Sequence, residues 1–222
     1  MRTQMKTVSP ETLLFISLAV GIVPLMIGIG TCYLKFSIVL SLLRSGFGTQ
    51  QAPSNALVMA LSMVMSLVVM NPVLTGMSDR LEKFPLVDAR GESLRVLMQR
   101  ASDVVVPWRD FLIAHSGERE VLIFTALSGR GEPPSTVNPS QPVSIGIALA
   151  AFVLSEVKSG FILGFLLLLP FFVIDIVIAN VLVAMGLTMM SPSVVGLPLK
   201  LLLFVSTDGW LMLARGLISS YR

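Results

Sequence analysis

The sequence predicts an all-α integral membrane protein, and three observations carry that prediction. Hydrophobic residues make up 54% of the 222-residue chain and charged ones only 13%, against about 25% charged in an average soluble domain. The mean hydropathy is +0.85. The apolar residues also come in long unbroken runs, and about 20 uncharged residues rising about 1.5 Å each cross a hydrocarbon core of about 30 Å. Four or five hydrophobic helices are expected, together with a small polar middle region.

Residues 12–34 are all uncharged and form the first expected helix, with Pro24 and Gly28 as points of kinking. Arg2 and Lys6 precede it, as in a secretory signal, but the run exceeds a signal core and lacks an A-x-A-like site, so it is read as a retained transmembrane segment. Residues 44–55 (RSGFGTQQAPSN) are rich in turn formers and make a polar connection. A second helix is expected over 56–70, closed by Asn71 and Pro72. These two helices form an N-terminal unit, 1–78.

The character changes over 79–132, which holds nine of the 13 acidic and eight of the 16 basic residues and the single histidine. That stretch reads as a water-facing region, with helical spacing over 92–111 and no clear pattern at 121–125. A linker with four prolines over 128–142 closes the middle unit, 79–142. The last unit, 143–222, returns to membrane-like composition: helices over 143–169 up to Pro170, over 171–190 up to Pro192, and over 197–219 with Pro198 in a first turn.

Charge gives further limits. The net charge is +3, yet no block of Lys and Arg makes the basic patch that nucleic acid needs. The rule that cytoplasmic loops are positive gives conflicting orientations. Lys35 and Arg44 put the first loop inside and the middle region outside, while Arg2, Lys6, Arg215 and Arg222 pull both ends inside. Such a conflict suggests that these helices are not ordinary bilayer spans. Cys32 is the single cysteine, so no disulfide within the chain and no cysteine metal site is expected. No glycine-rich phosphate loop, HExxH or partner for His115 suggests catalysis, and no cofactor is implied.

Ionisable side chains inside apolar helices are costly enough to imply a role in assembly or function. Here they are Glu156, Lys158, Asp175, Lys200, Asp208 and Arg215. At about 100° per residue, Asp208 lies about 80° and Arg215 about 60° from Lys200, so the three would share one stripe of the last helix. Pairing between helices or subunits suits such a stripe. The alternative for Asp175, a proton or coupling-ion site in a small-solute transporter, is weaker because no second acid or histidine lies nearby in sequence. Gly160 and Gly164 form a GxxxG, which lets two helix backbones approach. Met189 and Met190 stand before Ser191 and Pro192, where a loop is expected.

The segment LLRSGFGTQQAPSNALVMALSM (42–63), the NPV at Asn71, and FVLSEVKSGFILGFLLLLPFFVIDIVIANVLVAMGLTMMSP with GLPLKLLLFVSTDGW (152–210) resemble the SctR/FliP family of type III secretion export apparatus proteins. The resemblance implies a homopentamer that builds, with two smaller membrane proteins, a helical export gate at the bacterial inner membrane. Unfolded substrate proteins pass through its centre, much of it stands above the bilayer, and it is not an enzyme. The resemblance favours the injectisome branch, associated with virulence, over the flagellar one; with the protein in the inner membrane, the outside position that Lys35 and Arg44 give the middle region is the periplasmic side. It also implies a pore gasket of methionines, at positions that here read Thr188, Met189 and Met190. Finally, it makes Glu156, Lys158, Asp175, Lys200 and Asp208 ion-pair positions with partners unassigned.

Overall fold

A computed structural model describes residue 17 and residues 28–48, 53–83, 94–128 and 143–221, with residues 94–101 described by their backbone alone. Among these the chain is helical throughout, with no strand. Seven helices have described bounds: α1 (Tyr33–Gly46), α2 (Asn55–Lys83), α3 (Leu94–Ala114), α4 (Glu118–Leu127), α5 (Ile145–Ala184), α6 (Pro192–Ser206) and α7 (Gly209–Ser219). The helix expected over 12–34 and the linker over 128–142 lie largely outside the described residues. Where the first can be followed it is not continuous to residue 34. Gly28 and Ile29 are helical, the chain bends at Gly30–Cys32, and α1 starts at Tyr33. Local bonds explain the break. The Gly30 carbonyl accepts the Trp108 indole N–H at 2.7 Å, and the Thr31 hydroxyl accepts the Tyr33 N–H at 3.3 Å, so both groups are drawn out of the helical ladder.

The helix α1 is the centre of the fold although its residues were expected to be partly loop. Phe36, Val39, Leu40 and Leu43 recur at helical spacing and are buried, and α1 packs chiefly along α5. Its end is wedged between two other helices. A Cβ on Gly46 would meet the Leu168 side chain and, at 2.8 Å, Phe171, while one on Gly48, at φ +77°, would meet the Ser193 Cβ at 3.1 Å. Phe47 adds an aromatic cluster there, its ring 5.1 Å from Phe171 and 5.4 Å from Phe204. A second, smaller core of Leu112, Ala148 and Phe152 ties α3 to α5.

Proline ends fewer helices than the sequence suggests. The helix α2 runs through Pro72 to Lys83, and α5 runs through Pro170 for 40 residues. In apolar helices side-chain hydroxyls and packing against neighbours compensate for the hydrogen bond that proline removes. The end of α5 is set instead by Gly186, at φ +75°. The Leu187 N–H reaches back to the Leu182 carbonyl at 2.9 Å and the Gly186 N–H to Val183 at 3.0 Å, the pairing of a Schellman stop. Pro192 starts a helix: Ser191 is the N-cap of α6 and Pro192 its first residue, while Pro198 lies in the interior.

The expected last helix over 197–219 is two helices, α6 and α7, bent by 63° at a break. Asp208 sits in the break with φ 54°, a left-handed conformation that costs an L-residue about 1–2 kcal/mol. By length and apolarity α2 and α5 can cross a membrane, and α6 with α7 makes a third candidate if counted as one span. Four or five hydrophobic helices were expected, one of them over 12–34 and so largely outside the described residues; among the described residues two helices, or three with the bent pair, are long and apolar enough to span. Only 17% of the most apolar window of α5 is buried within the chain, which leaves most of that helix to be covered by lipid or protein.

Candidate functional site: two buried charge pairs and an exposed methionine loop

The helix α5 carries two buried acid–base pairs. Near its start, Glu156 Oε1 lies 3.1 Å from Lys35 Nζ of α1, with both side chains almost wholly buried. The second oxygen, Oε2, accepts the Tyr221 hydroxyl. The Lys35 ammonium also stands 4.0 Å from the Tyr221 ring centroid and 3.5 Å from Ser220 Oγ, so it gains a cation–π contact besides its ion pair. His115 completes the surroundings, with Nδ1 2.9 Å from the Phe111 carbonyl and Nε2 3.4 Å from that of Tyr221. A cleft of about 400 Å³ opens beside this group, lined by Lys35, His115, Glu120, Glu156 and Lys158 and by serine hydroxyls.

Nineteen residues further along α5, or about 28 Å, Asp175 Oδ2 lies 2.7 Å from Lys200 Nζ of α6. Lys200 is fully buried and donates a second bond, at 2.9 Å, to the Gly46 carbonyl at the end of α1. A cation is favoured at that position because the last carbonyls of a helix carry partial negative charge. One ammonium therefore joins three helices. The other oxygen of Asp175, Oδ1, is buried without a hydrogen-bond partner.

The remaining charges behave differently. Lys158 forms a 3.1 Å pair with Glu120 of α4; Glu120 is buried, but the Lys158 side chain is 60% exposed, so the pair opens to solvent on the lysine side. The Lys158 ammonium, aided by a backbone N–H, holds the Glu120 carboxyl below the usual carboxylate range. Asp208 and Arg215 are exposed and form no ion pair among the described residues. The single stripe expected for Lys200, Asp208 and Arg215 does not exist, because the bend at Asp208 separates Lys200 from the other two. The two glycines of the GxxxG face α1. A Cβ at Gly160 would come within 3.3 Å of Lys35 Cα and Ile38 Cβ, and one at Gly164 would run into Leu42.

Between α5 and α6 the chain forms a loop whose tip is exposed. Met189 is 99% exposed and Met190 49%, and Thr188 is exposed beside them. Both flanking helices are fixed close by, since Asp175 and Lys200 belong to the same clamp. Among the described residues no three metal-ligating side chains converge.

Lys35 is the residue that sequence reasoning misplaced. The charge pattern makes it a loop residue favouring a cytoplasmic side, whereas it is buried in α1 and neutralised by Glu156. A lone cation amid Leu34, Phe36, Val39, Leu40 and Leu43 is the same signal that singled out Glu156, and would have found it. Tyr221, Ser220 and the Gly46 carbonyl carry no such signal, because hydroxyls and backbone groups become partners only once the helices are placed.

Long apolar helices joined by buried charge pairs, with much of their apolar surface uncovered within the chain, define a helical membrane protein. The chain belongs to the SctR/FliP family of type III secretion export apparatus proteins: the FliP family model matches residues 15–217. It is 37% identical to the hypersensitivity response secretion protein HrcR of Ralstonia nicotianae, over 98% of this chain and 100% of that protein. It is 38% identical to the surface presentation of antigens protein SpaP of Salmonella typhi, over 90% of this chain and 91% of that protein. The flagellar biosynthetic protein FliP of Cereibacter sphaeroides is 38% identical over 91% of this chain, which spans 64% of that longer protein.

Proposed function

We propose that this chain is a core subunit of the export gate of a virulence-type type III secretion system, forming the pore through which unfolded proteins leave. Family membership and the names of its relatives support a place in secretion, and two virulence-type relatives match over nearly their whole length. The subunit works as a homo-oligomer, of five copies by the family resemblance, together with two smaller membrane proteins. It lies in the inner membrane with the 79–142 region on the periplasmic side, between hydrophobic units at 1–78 and 143–222. It carries out no covalent chemistry.

The observation that carries this reading is the methionine loop. Met189 extends fully into the surroundings from a loop held at both flanks by the Asp175–Lys200–Gly46 clamp. Repeated around a rotation axis, Met189 and Met190, with Thr188 beside them, form a ring of thioether side chains. Methionine is flexible and polarizable, so such a ring seals against ions by close packing and dewetting. It also yields around side chains of varied size, with no fixed hydrogen bonds to break. Replacing both methionines by alanine widens the ring. We expect an assembled M189A/M190A double variant to raise ion leak across the inner membrane several-fold while export persists at least in part. Wild-type conductance in that variant overturns the gasket role. The transporter reading is disfavoured by Asp175 itself, which Lys200 already engages at 2.7 Å.

A further inference from the structure

The helix α7 is fastened differently from α5 and α6. The helix α6 is held midway by Lys200, which bonds to Asp175 of α5 and to the Gly46 carbonyl of α1. Among the described residues, the polar bonds that join α7 to other helices come instead from the two residues that follow it. Ser220 Oγ lies 3.5 Å from Lys35 Nζ, and the Tyr221 hydroxyl donates to Glu156 Oε2. The Tyr221 carbonyl faces His115 Nε2 at 3.4 Å. The Tyr221 ring is gripped as well, edge-on to Phe36 at 5.8 Å, stacked 6.2 Å from Phe111 and 5.2 Å from His115. Beneath it lies Cys32, fully buried, with its thiol within hydrogen-bonding reach of the Tyr221 hydroxyl.

The other end of α7 is a strained elbow. The helices α6 and α7 meet there at 63°, and Asp208 takes a left-handed conformation, φ 54°, which an L-residue adopts only at a cost. The bend also crowds its inner side. A Cβ on Gly209 would run into the Phe204 ring and come within 2.7 Å of the Phe204 carbonyl. Beside the elbow is a hollow of about 370 Å³, walled by Leu167 and Pro170 of α5 and by Met212 and Leu213 of α7. Room to move thus lies next to the bend, and the close packing lies at the far end. Between the two ends only Leu213 and Leu217 are buried, whereas Leu211 and Met212 are exposed.

We propose that α7 is a strap closed against the strain of its elbow, and that Tyr221 is the latch that keeps it closed. Released at Tyr221, the strap swings about Asp208–Gly209 and uncovers Cys32 and Phe36 at the start of α1. Return of Asp208 to right-handed geometry drives the swing, since residues 197–219 have the apolar pattern of one continuous helix. Tyrosine serves both needs of a latch, with an apolar ring for the pocket and a hydroxyl for the buried carboxylate. The Lys35–Glu156 pair joins α1 to α5 and stays in place when the strap opens. Strap and latch lie within one chain and do not depend on how copies assemble.

The test uses full-length protein in isolated membranes that contain the other export components, with the native Cys32 as reporter. A membrane-permeant maleimide reaches Cys32 only when the strap is open. We expect Tyr221→Phe, which keeps the ring and removes the hydroxyl, to speed labelling at least ten-fold. Gly209→Ala, which crowds the bend, should do the same. Asp208→Gly, which relieves the elbow because glycine accepts the left-handed conformation, should slow labelling at least two-fold. Leu112 belongs to the separate core between α3 and α5, so Leu112→Cys in a Cys32→Ala chain should label at one rate with or without Tyr221→Phe. Equal acceleration at both cysteines overturns the strap, because the whole chain has then loosened. A wild-type rate in any of the three variants, or faster labelling in Asp208→Gly, overturns it as well. If Tyr221→Phe fails to accumulate, the rates of Gly209→Ala and Asp208→Gly decide.

Discussion

The two acid–base pairs on α5 use the same chemistry in different ways. At Glu156 every group is saturated: one oxygen takes Lys35, the other takes Tyr221, and the ammonium is covered by an aromatic ring. At Asp175 one oxygen is bonded and the other is not, and the side chain is 32% exposed. The saturated centre lies among α1, α3, α5 and the end of α7, far from the methionine loop. The unsaturated one lies ten residues before that loop's first residue, Met185. A buried network with all its bonds made holds one arrangement, whereas one with a spare acceptor can exchange partners. The first centre is thus a fixed joint and the second an adjustable one.

That contrast is testable in order of expected effect. Removing one member of the saturated pair leaves an uncompensated buried charge, which costs about 3–5 kcal/mol. Lys35→Ala or Glu156→Ala should therefore abolish accumulation of the protein in membranes. Replacing both, as K35M/E156L, should recover much of it, because well-packed apolar residues often match a buried pair. If the single variants accumulate normally, the joint is not fixed.

Lys200→Ala should have a smaller effect, about 2 kcal/mol, the range for hydrogen bonds to a charged group, because Asp175 retains access to solvent. Thermal unfolding in detergent would read it, with faster proteolysis of residues 185–191 as the local sign. A loss as large as that from Glu156→Ala would erase the distinction between the two centres.

The smallest effect belongs to the Glu120–Lys158 pair, in which Glu120 is buried but the lysine side chain is 60% exposed, so that the pair stays open to solvent and is of a kind that contributes about 0–1 kcal/mol. Glu120 binds its proton less readily in the folded chain, so its contribution is present above the ordinary glutamate value of about 4.3 and fades as pH falls through the lowered folded value. Lys158→Ala should leave stability at pH 7 nearly unchanged and flatten its dependence on pH only in the acid range. A marked change near neutrality would show that the pair belongs with the buried centres.

Much of this contrast was legible in the sequence. Glu156, Asp175 and Lys200 stood out as charges in apolar runs, and Gly160 with Gly164 as a contact face. What was not legible arose from two physical causes. Proline was read as a helix end at residues 72 and 170, a rule for water-exposed helices that fails where packing and hydroxyls compensate. The Asp208–Gly209 dipeptide is a turn signal, but it lay within an apolar run whose periodicity pointed to one helix. Reading through it produced a stripe that the bend removes. The partners of Glu156 come from positions 35 and 221, a separation that no local pattern reports.

The length of α5 has a mechanical consequence. Forty residues make a rod of about 60 Å, pinned at Glu156 and Asp175. Beyond the second pin only nine residues remain to Ala184, an overhang of about 13 Å that ends in the methionine loop. A load on the loop bends this short cantilever about Asp175, and little of the deflection passes back to the rigidly pinned length behind it. The tip can thus yield to a local load while the rest of the beam stays in register with α1.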